Sequence, residues 1–232
     1  MEIGYKQYLK DTQLVPNDGY FCHYNYKNFV DNEEIYCCEV NIINKILANE
    51  DGYFDFSKNM IDIGSDIGTY SFILPFNYFY MFEGNKQKCI IASFNMLIHN
   101  KDNQFTQYNT LLSDINEEIN YNGFETEYSN VDNFEDYFHM ITPTSVLDTY
   151  DDINNVGFIK IDVEGMEEKV LRGSIQIIKN NNYPPILFEL WPVGYHNMTE
   201  EKHQSLVNFF TELGYNIIWK YGQFDTHLAI HK

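Results

Sequence analysis

Residues 60–72 read MIDIGSDIGTYSF. Met60, Ile61 and Ile63 make the apolar run of a buried strand. Gly64, Ser65, Asp66, Ile67 and Gly68 make a turn, and the residues from Thr69 onward read as a helix. Strand, glycine turn and helix in that order form one β–α unit. Two features of it need a reason. Asp62 stands near the end of a strand that otherwise reads as buried, and the turn carries two glycines. A turn of this kind can simply join two elements, or it can be where a ligand sits.

From this unit onward, strand-like and helix-like segments alternate. NYFYMFE at 77–83 is a second short apolar run, and KQKCIIASFNMLIHN at 86–100 has a broadly helical pattern. QFTQYNTLLSD at 104–114 reads as a third strand and VGFIKIDVEG at 156–165 as a fourth. MEEKVLRGSIQIIKN at 166–180 reads as a helix broken at Gly173. PPILFELWP at 184–192 is a fifth strand bounded by prolines. An amphipathic helix follows between Thr199, an N-cap residue, and Gly214, a C-terminal glycine stop. YNIIWK and HLAIHK close the chain as strands, separated by so few residues that they form an antiparallel hairpin. Buried strands alternating with helices predict an α/β fold, a mainly parallel sheet covered on both faces, with that hairpin at one edge. Residues 1–50 fit the alternation poorly and are expected to form a helical cap or extension, leaving 51–232 as the main domain. Residues 115–145 read as irregular, acidic and aromatic.

Bulk properties narrow the partners. The chain has 232 residues, of which 44% are hydrophobic and 21% charged, the profile of a globular protein rather than a disordered one. Its formal charge is −19, from 15 basic and 34 acidic residues. A surface this acidic repels phosphate backbones and anionic lipid, which argues against nucleic acid or a membrane as partner. No uninterrupted apolar stretch reaches the roughly eighteen residues of a membrane span. The N-terminus MEIGYKQYLK lacks the apolar segment of a signal peptide. Cys22, Cys37, Cys38 and Cys89 show no metal-ligand spacing, and a reducing, cytoplasmic setting fits them. The sequon at Asn197 is then a chance match. The composition is compatible with a homodimer.

In an open α/β sheet, ligands bind beyond the carboxyl ends of the strands. Each expected strand end here offers a carboxylate: Asp62 and Asp66 with Gly64 and Gly68; Glu83 with Asn85; Asp114 with Ser113; Asp162 and Glu164; and Glu189. One such acid is ordinary, because acids favour the helix N-terminus that follows. Five in succession ask for another explanation. Glu83 lies about twenty residues beyond the glycine turn, the spacing at which an acid accepts hydrogen bonds from ribose hydroxyls. The turn does not match a dinucleotide fingerprint, because Asp66 and Thr69 stand where glycines are needed. Asp62 and Asp66 would also repel a phosphate. A ligand with a ribose and positive charge but no phosphate suits the set better, and S-adenosylmethionine (SAM) is such a ligand.

At these residues the chain resembles the FkbM family of SAM-dependent methyltransferases. MIDIGSDIGTYSF, FYMFEGN, LLSD and FIKIDVEGMEEKVLRG follow that family's pattern of DVGANIG, FEP, ALSD and IKIDVEGAE with VLKGA. The resemblance covers about residues 59–191, and the IDVEG block is its most specific part. It implies a Rossmann-like class I methyltransferase fold, with a mainly parallel seven-stranded sheet. It also implies methyl transfer from SAM to a hydroxyl, on a sugar, a glycan or a sugar-containing small molecule. By position, Asp62, Gly64, Ser65, Asp66, Gly68, Thr69, Tyr70 and Ser71 would line the cofactor turn, and Glu83 with Asn85 would hold the ribose. Ser113 and Asp114 would flank the adenine, and Asp162 would help fix the methionine part. Ser65-Asp66 replaces the usual small residue and Asn, and Gly84 replaces the usual Pro, which is expected to loosen the end of the second strand.

An alcohol needs a general base to become a nucleophile, and Asp162, Glu164, Glu189 and His196 are the candidates. If the segment after the fourth strand stays extended, Asp162 and Glu164 leave the same face. Alternatively, two of these acids hold a divalent cation, Mg²⁺ by their oxygen chemistry. Two other functions compete with O-methyl transfer: a SAM-binding scaffold or subunit without catalysis, and a small-molecule N-methyltransferase.

Overall fold

The structure is a computed structural model that describes residues 37–121, 140–195, 198–221 and 225–232. Most of the expected N-terminal cap, Cys22, His196 and the sequon residue Asn197 lie outside the described residues. Helix α1 (Cys37–Ala48) precedes strand β1 (Asn59–Ile63), helix α2 (Thr69–Ile73), strand β2 (Tyr78–Phe82), helix α3 (Lys86–Ile98) and strand β3 (Phe105–Tyr108). Strands β4 (Leu111–Ser113), β5 (Glu118–Tyr121) and β6 (Met140–Val146) follow. Then come β7 (Val156–Ile161), α4 (Glu167–Arg172), α5 (Ile175–Asn180), β8 (Ile186–Glu189), α6 (Glu200–Glu212), β9 (Tyr215–Ile218) and β10 (Thr226–His231).

The main sheet has seven strands in the order β3-β2-β1-β7-β8-β10-β9. The first five are parallel to one another, and β10 runs antiparallel to both of its neighbours, β8 and β9. This is the expected mainly parallel sheet with an antiparallel edge hairpin. From β1 the chain turns one way to β2 and β3 and returns on the other side at β7. The β1/β7 seam is therefore the switch point, where a crevice opens beyond the strand ends.

Strand alternation divides the core. Met60, Phe79, Met81, Phe158, Leu187 and Leu228 meet Ile42, Ile43 and Ile46 of α1 and Ala92 and Met96 of α3 on one face. Ile61, Ile63, Phe82, Ile159, Ile161 and Phe188 meet Val170 and Leu171 of α4 and Phe210 of α6 on the other. Every residue of β1 and β7 is buried. That includes Asp62 and Lys160, which share the first face with Met60 and Phe158. Helix α6 begins where expected, with Thr199 Oγ1 accepting from Lys202 N, and it ends before Gly214 at φ 83°. No described helix is long and apolar enough to cross a membrane.

Two expectations are corrected. The run 104–114 is not one strand. β3 stays in the main sheet, whereas β4 leaves it to pair in parallel with β6 in a separate three-stranded sheet ordered β4-β6-β5. The break falls at Asn109-Thr110, where the Asn109 amide turns back to the carbonyls of Glu83 and Gly84 (3.0 and 2.8 Å). Thr110 Oγ1 reaches Pro143 O at 3.3 Å. The segment 115–145 contains β5 and the start of β6 rather than being irregular throughout. Its strand signal is masked by Pro143 and by Thr142, Thr144 and Ser145, which are poor in apolar alternation.

Candidate active site

The glycine turn folds back on the end of β2. The N–H groups of Gly64 and Ser65 both donate to Phe82 O (2.9 and 3.0 Å), and Gly68 N donates to Ser65 O. Gly64 is left-handed at φ 67°, and a Cβ there would stand 1.7 Å from the carbonyl oxygen of Asp162. Gly68, at φ 81°, would bring a Cβ within 2.9 Å of the Met81 side chain. The glycines are thus required first by the protein's own packing, which presses the turn after β1 against the loop after β7. Ser65 is buried and its Oγ has no hydrogen-bond partner among the described residues.

Asp62 lies beneath this turn, 1% exposed. Its Oδ2 accepts from Ser71 Oγ at 2.6 Å, and its Oδ1 faces Lys160 Nζ at 3.6 Å. Burial raises its pKa, and Lys160 pulls it back in part. Tyr70 and Ser71 are buried under the turn and touch Lys160 and Asp62 respectively. These residues form the foundation of the crevice and Thr69 opens α2 above them.

Asp66 (φ 49°) and Glu83 form the next layer. Glu83 accepts from Asp66 N through Oε2 (3.1 Å) and from Asn85 N through Oε1 (2.8 Å), and burial raises its pKa. The Asp66 carboxylate pairs with Lys88 Nζ at 2.7 Å. Burial works against the Lys88 charge, yet Asp66 and Glu83 hold its pKa above the ordinary value. Asn85 caps α3 by accepting from Gln87 N and Lys88 N. The end of β2 is not loosened at Gly84, because Asn109 holds the carbonyls on either side of the Glu83–Gly84 peptide.

Across the seam stand Asp162, Glu164, Glu167 and Glu189. The Asp162 N–H still continues the ladder to Ile63 O. The chain then turns: Glu164 has φ 55°, so the extended, same-face placement of Asp162 and Glu164 does not hold. Glu167 makes this turn. Its buried Oε1 accepts from Val163 N and Gly165 N, both at 3.2 Å, and burial pushes its pKa up to about 7. Glu189, at the end of β8, is raised further, by burial and then by the charges of Asp162, Glu164 and Glu167. The four acids therefore share one electrostatic neighbourhood. Ser113 and Asp114 do not stand at the end of a main-sheet strand. Ser113 ends β4 and Asp114 follows it, and they pack against Gly173, where a Cβ would lie 2.2 Å from Ser113 O. Among the described residues no group of three or more His, Cys, Asp or Glu is arranged to hold a metal ion.

The profile of the FkbM methyltransferase domain matches residues 46–217. The chain belongs to this family. A solved structure, methyltransferase FkbM from Methylobacillus flagellatus KT, superposes with a TM-score of 0.56 at 18% identity over 81% of this chain and 47% of that one. The chain spans about half the length of that relative, and at this identity the likeness is one of fold. Precorrin-6y C5,15-methyltransferase from Geobacter metallireducens GS-15 aligns at TM-score 0.49 and 13% identity, over 84% of this chain and 88% of that one. An O-methyltransferase from Bacillus cereus, solved in complex with SAH, aligns at 0.49 and 12%, over 97% and 96%. No curated protein matches the chain.

Three residues of this FkbM domain escaped the sequence reading: Lys160, Lys88 and Glu167. Lys160 was the most detectable. A lone lysine in the middle of the apolar run VGFIKI and a lone aspartate in NMIDI, on strands that must be neighbours, predict a buried pair. Glu167 occupies the last acid of the IKIDVEGAE pattern. Lys88 carries no such signal, since a lysine in the first turn of a helix usually points to solvent.

Proposed function

We propose that this FkbM domain transfers a methyl group from SAM to a hydroxyl of a sugar, a glycan or a sugar-containing small molecule. The observation that carries the reading is the charge around the switch point. Asp66, Glu83, Asp162, Glu164 and Glu189 stand at or just beyond the carboxyl ends of β1, β2, β7 and β8, and the two lysines beside them, Lys88 and Lys160, are each already paired with an acid. A phosphate ligand is disfavoured there, and one bearing ammonium and sulfonium groups with a ribose is favoured. The donor set fits SAM. The Glu83 carboxylate, held in place by the N–H groups of Asp66 and Asn85, is an acceptor suited to ribose hydroxyls. Ser65 Oγ, without a hydrogen-bond partner among the described residues, lies in the turn beside it.

SAM, when bound, supplies an electrophilic methyl group on sulfur. The chain's own residues hold and orient. Asp162, whose side chain is 40% exposed, is the carboxylate of the β1/β7 seam that a cationic group can reach. Glu164 is the acid that takes the hydroxyl proton; Glu189, raised by burial and by its acidic neighbours, holds its own proton and is not available as the base. Alignment of the acceptor oxygen at about 3–3.5 Å from the methyl carbon does the rest. Isothermal titration with SAM and SAH, followed by transfer of labelled methyl to a panel of sugars, tests the reading. Absence of binding at high micromolar ligand removes it. Binding without transfer to any acceptor moves the protein to the scaffold class. Glu164→Gln is expected to keep SAH affinity within a few-fold and to lower turnover about 10²–10⁴-fold.

A further inference from the structure

We propose that Lys160 is a positioning residue for the site: its ammonium stands between Asp62 and Asp162 and thereby holds the Asp162 carboxylate at the mouth of the crevice. The inference rests on the cofactor reading above, and it is carried by the way four structural parts converge on one buried nitrogen. Lys160 is 5% exposed in the middle of β7. It pairs in register with Asp62 of β1, and alternation places Phe158, Lys160 and Asp162 on one face.

Its Nζ lies 3.6 Å from Asp62 Oδ1 and 3.5 Å from Asp162 Oδ2. It donates to the carbonyl of Gly64 at 2.6 Å and sits 5.6 Å from the centroid of the Tyr70 ring. Gly64 O takes a hydrogen bond and the two carboxylates are ion-pair neighbours, and these partners lie on β1, on the glycine turn, on α2 and on the loop after β7. The turn and the loop are already in contact, since Gly64 has no room for a Cβ against Asp162 O. One cation therefore ties together the two segments that border the crevice.

The two carboxylates it joins are not equivalent. Asp62 is sealed by Ser71 and the turn above it, beyond a ligand's reach. Asp162 is open to the crevice. Without the cation, two carboxylates would face each other across the seam, and one would be driven to take up a proton. The Gly64 carbonyl would lose its donor as well. Lys160 thus acts on the ligand through Asp162 and the turn, without touching it.

The test is a cycle of four proteins: wild type, Lys160→Met, Asp62→Asn and the double variant. Methionine keeps the length of the side chain and removes the charge. In the double variant the buried charges leave together, so it folds even if Lys160→Met alone does not. Each protein is read by its thermal midpoint without ligand and by its SAH dissociation constant. The expected result is a Lys160→Met protein with a lowered midpoint and SAH affinity reduced at least about 10-fold. In the double variant the midpoint recovers and affinity rises several-fold above that of Lys160→Met but stays below wild type, because Asp162 no longer faces a second charge while Gly64 O still lacks its donor. A residue that only filled space would give no such rescue.

If wild type binds SAH and either Lys160→Met binds equally well or the double variant is no better than Lys160→Met, the proposal is overturned. If wild type binds no SAH, the cofactor reading fails. The midpoints then decide the rest: rescue by Asp62→Asn supports Lys160 as the cation of the seam, and additive losses overturn it.

Discussion

Two Asp–Lys pairs border the same glycine turn, and they are opposites. Asp66–Lys88 is the shorter, at 2.7 Å, with the Asp66 side chain 43% exposed on the rim. Asp62–Lys160 is longer, at 3.6 Å, and sealed between β1 and β7. Distance alone would rank the outer pair first. Solvent reverses the order. At the rim, water reaches the Asp66 carboxylate and competes with Lys88 for it, and holding the lysine side chain in place costs entropy, so the net gain is small. Inside, Asp62 and Lys160 are 1% and 5% exposed, and each ion left alone carries a large desolvation penalty. The inner pair is the one whose loss the fold feels, and the outer pair is the one a ligand can rearrange.

The largest expected effect follows directly. Lys160→Met leaves Asp62 without its counter-ion and is expected to cost about 3–5 kcal/mol of stability, the usual consequence of breaking a buried pair from one side. Urea unfolding checks it. A loss near that of an exposed pair would show that water already reaches the seam and would erase the contrast between the two pairs.

Glu83 sits between the layers. It is buried like Asp62, yet it accepts the Asp66 N–H from the outer turn. Glu83→Ala is expected to weaken SAH binding by about 1.5–3 kcal/mol through the lost charge-assisted hydrogen bonds. Titration calorimetry at fixed pH measures this. An unchanged dissociation constant would confine Glu83 to tying the turn to α3.

The third prediction concerns pH. The folded pKa of Glu167 is raised from 4.5 to about 7. A group shifted upward contributes stability that is fully present below its unfolded pKa and is lost as pH rises through the folded one. The contribution of Glu167 is therefore expected to fall between pH 4.5 and 7. Glu167→Gln, which does not titrate, should flatten the fall in thermal midpoint across that window, at about 2–4 °C per kcal/mol for a chain of this size. Parallel midpoint curves for variant and wild type would show that the carboxylate titrates normally and that the 163–165 turn does not depend on its charge state.

The same contrast between inside and outside explains what could be read in the sequence. β1, β7 and β8 were legible because strands buried on both faces are nearly continuous in apolar residues. β3 and β4 were merged because Asn109-Thr110 looks like an interruption too short to matter. In the fold, Asn109 uses its side chain to hold the end of β2, and the strand cannot continue past it. β6 was hidden by Pro143. At the site, the acids and their order along the chain were legible, but their depth was not. Asp62 reads as a ligand contact because periodicity assigns a face without saying what lies over it. Ser71 and Tyr70, one turn of helix later, lie over it. Glu164 reads as extended because nothing in DVEG announces that a buried Glu167 will curl the backbone at Val163 and Gly165.

The smallest expected effect belongs to the outer pair. Asp66→Asn removes the charge facing Lys88 but keeps a side chain that tolerates the left-handed φ of 49°. Its backbone N–H still reaches Glu83 Oε2. Lys88 keeps the charge of Glu83 nearby, and that of Glu164 beyond it. The cost in stability is therefore expected to be about 0–1 kcal/mol, the range of exposed pairs. The more telling measurement is its salt dependence. The wild-type contribution of this pair should shrink as ionic strength rises past about 0.15 M, because exposed charges are screened over about 8 Å there. The Asp62–Lys160 contribution should barely move. Comparing urea midpoints of Asp66→Asn and Lys160→Met at low and high salt thus reads both pairs on one scale. Equal salt sensitivity for the two variants would mean that the seam is wet and that burial does not separate the pairs.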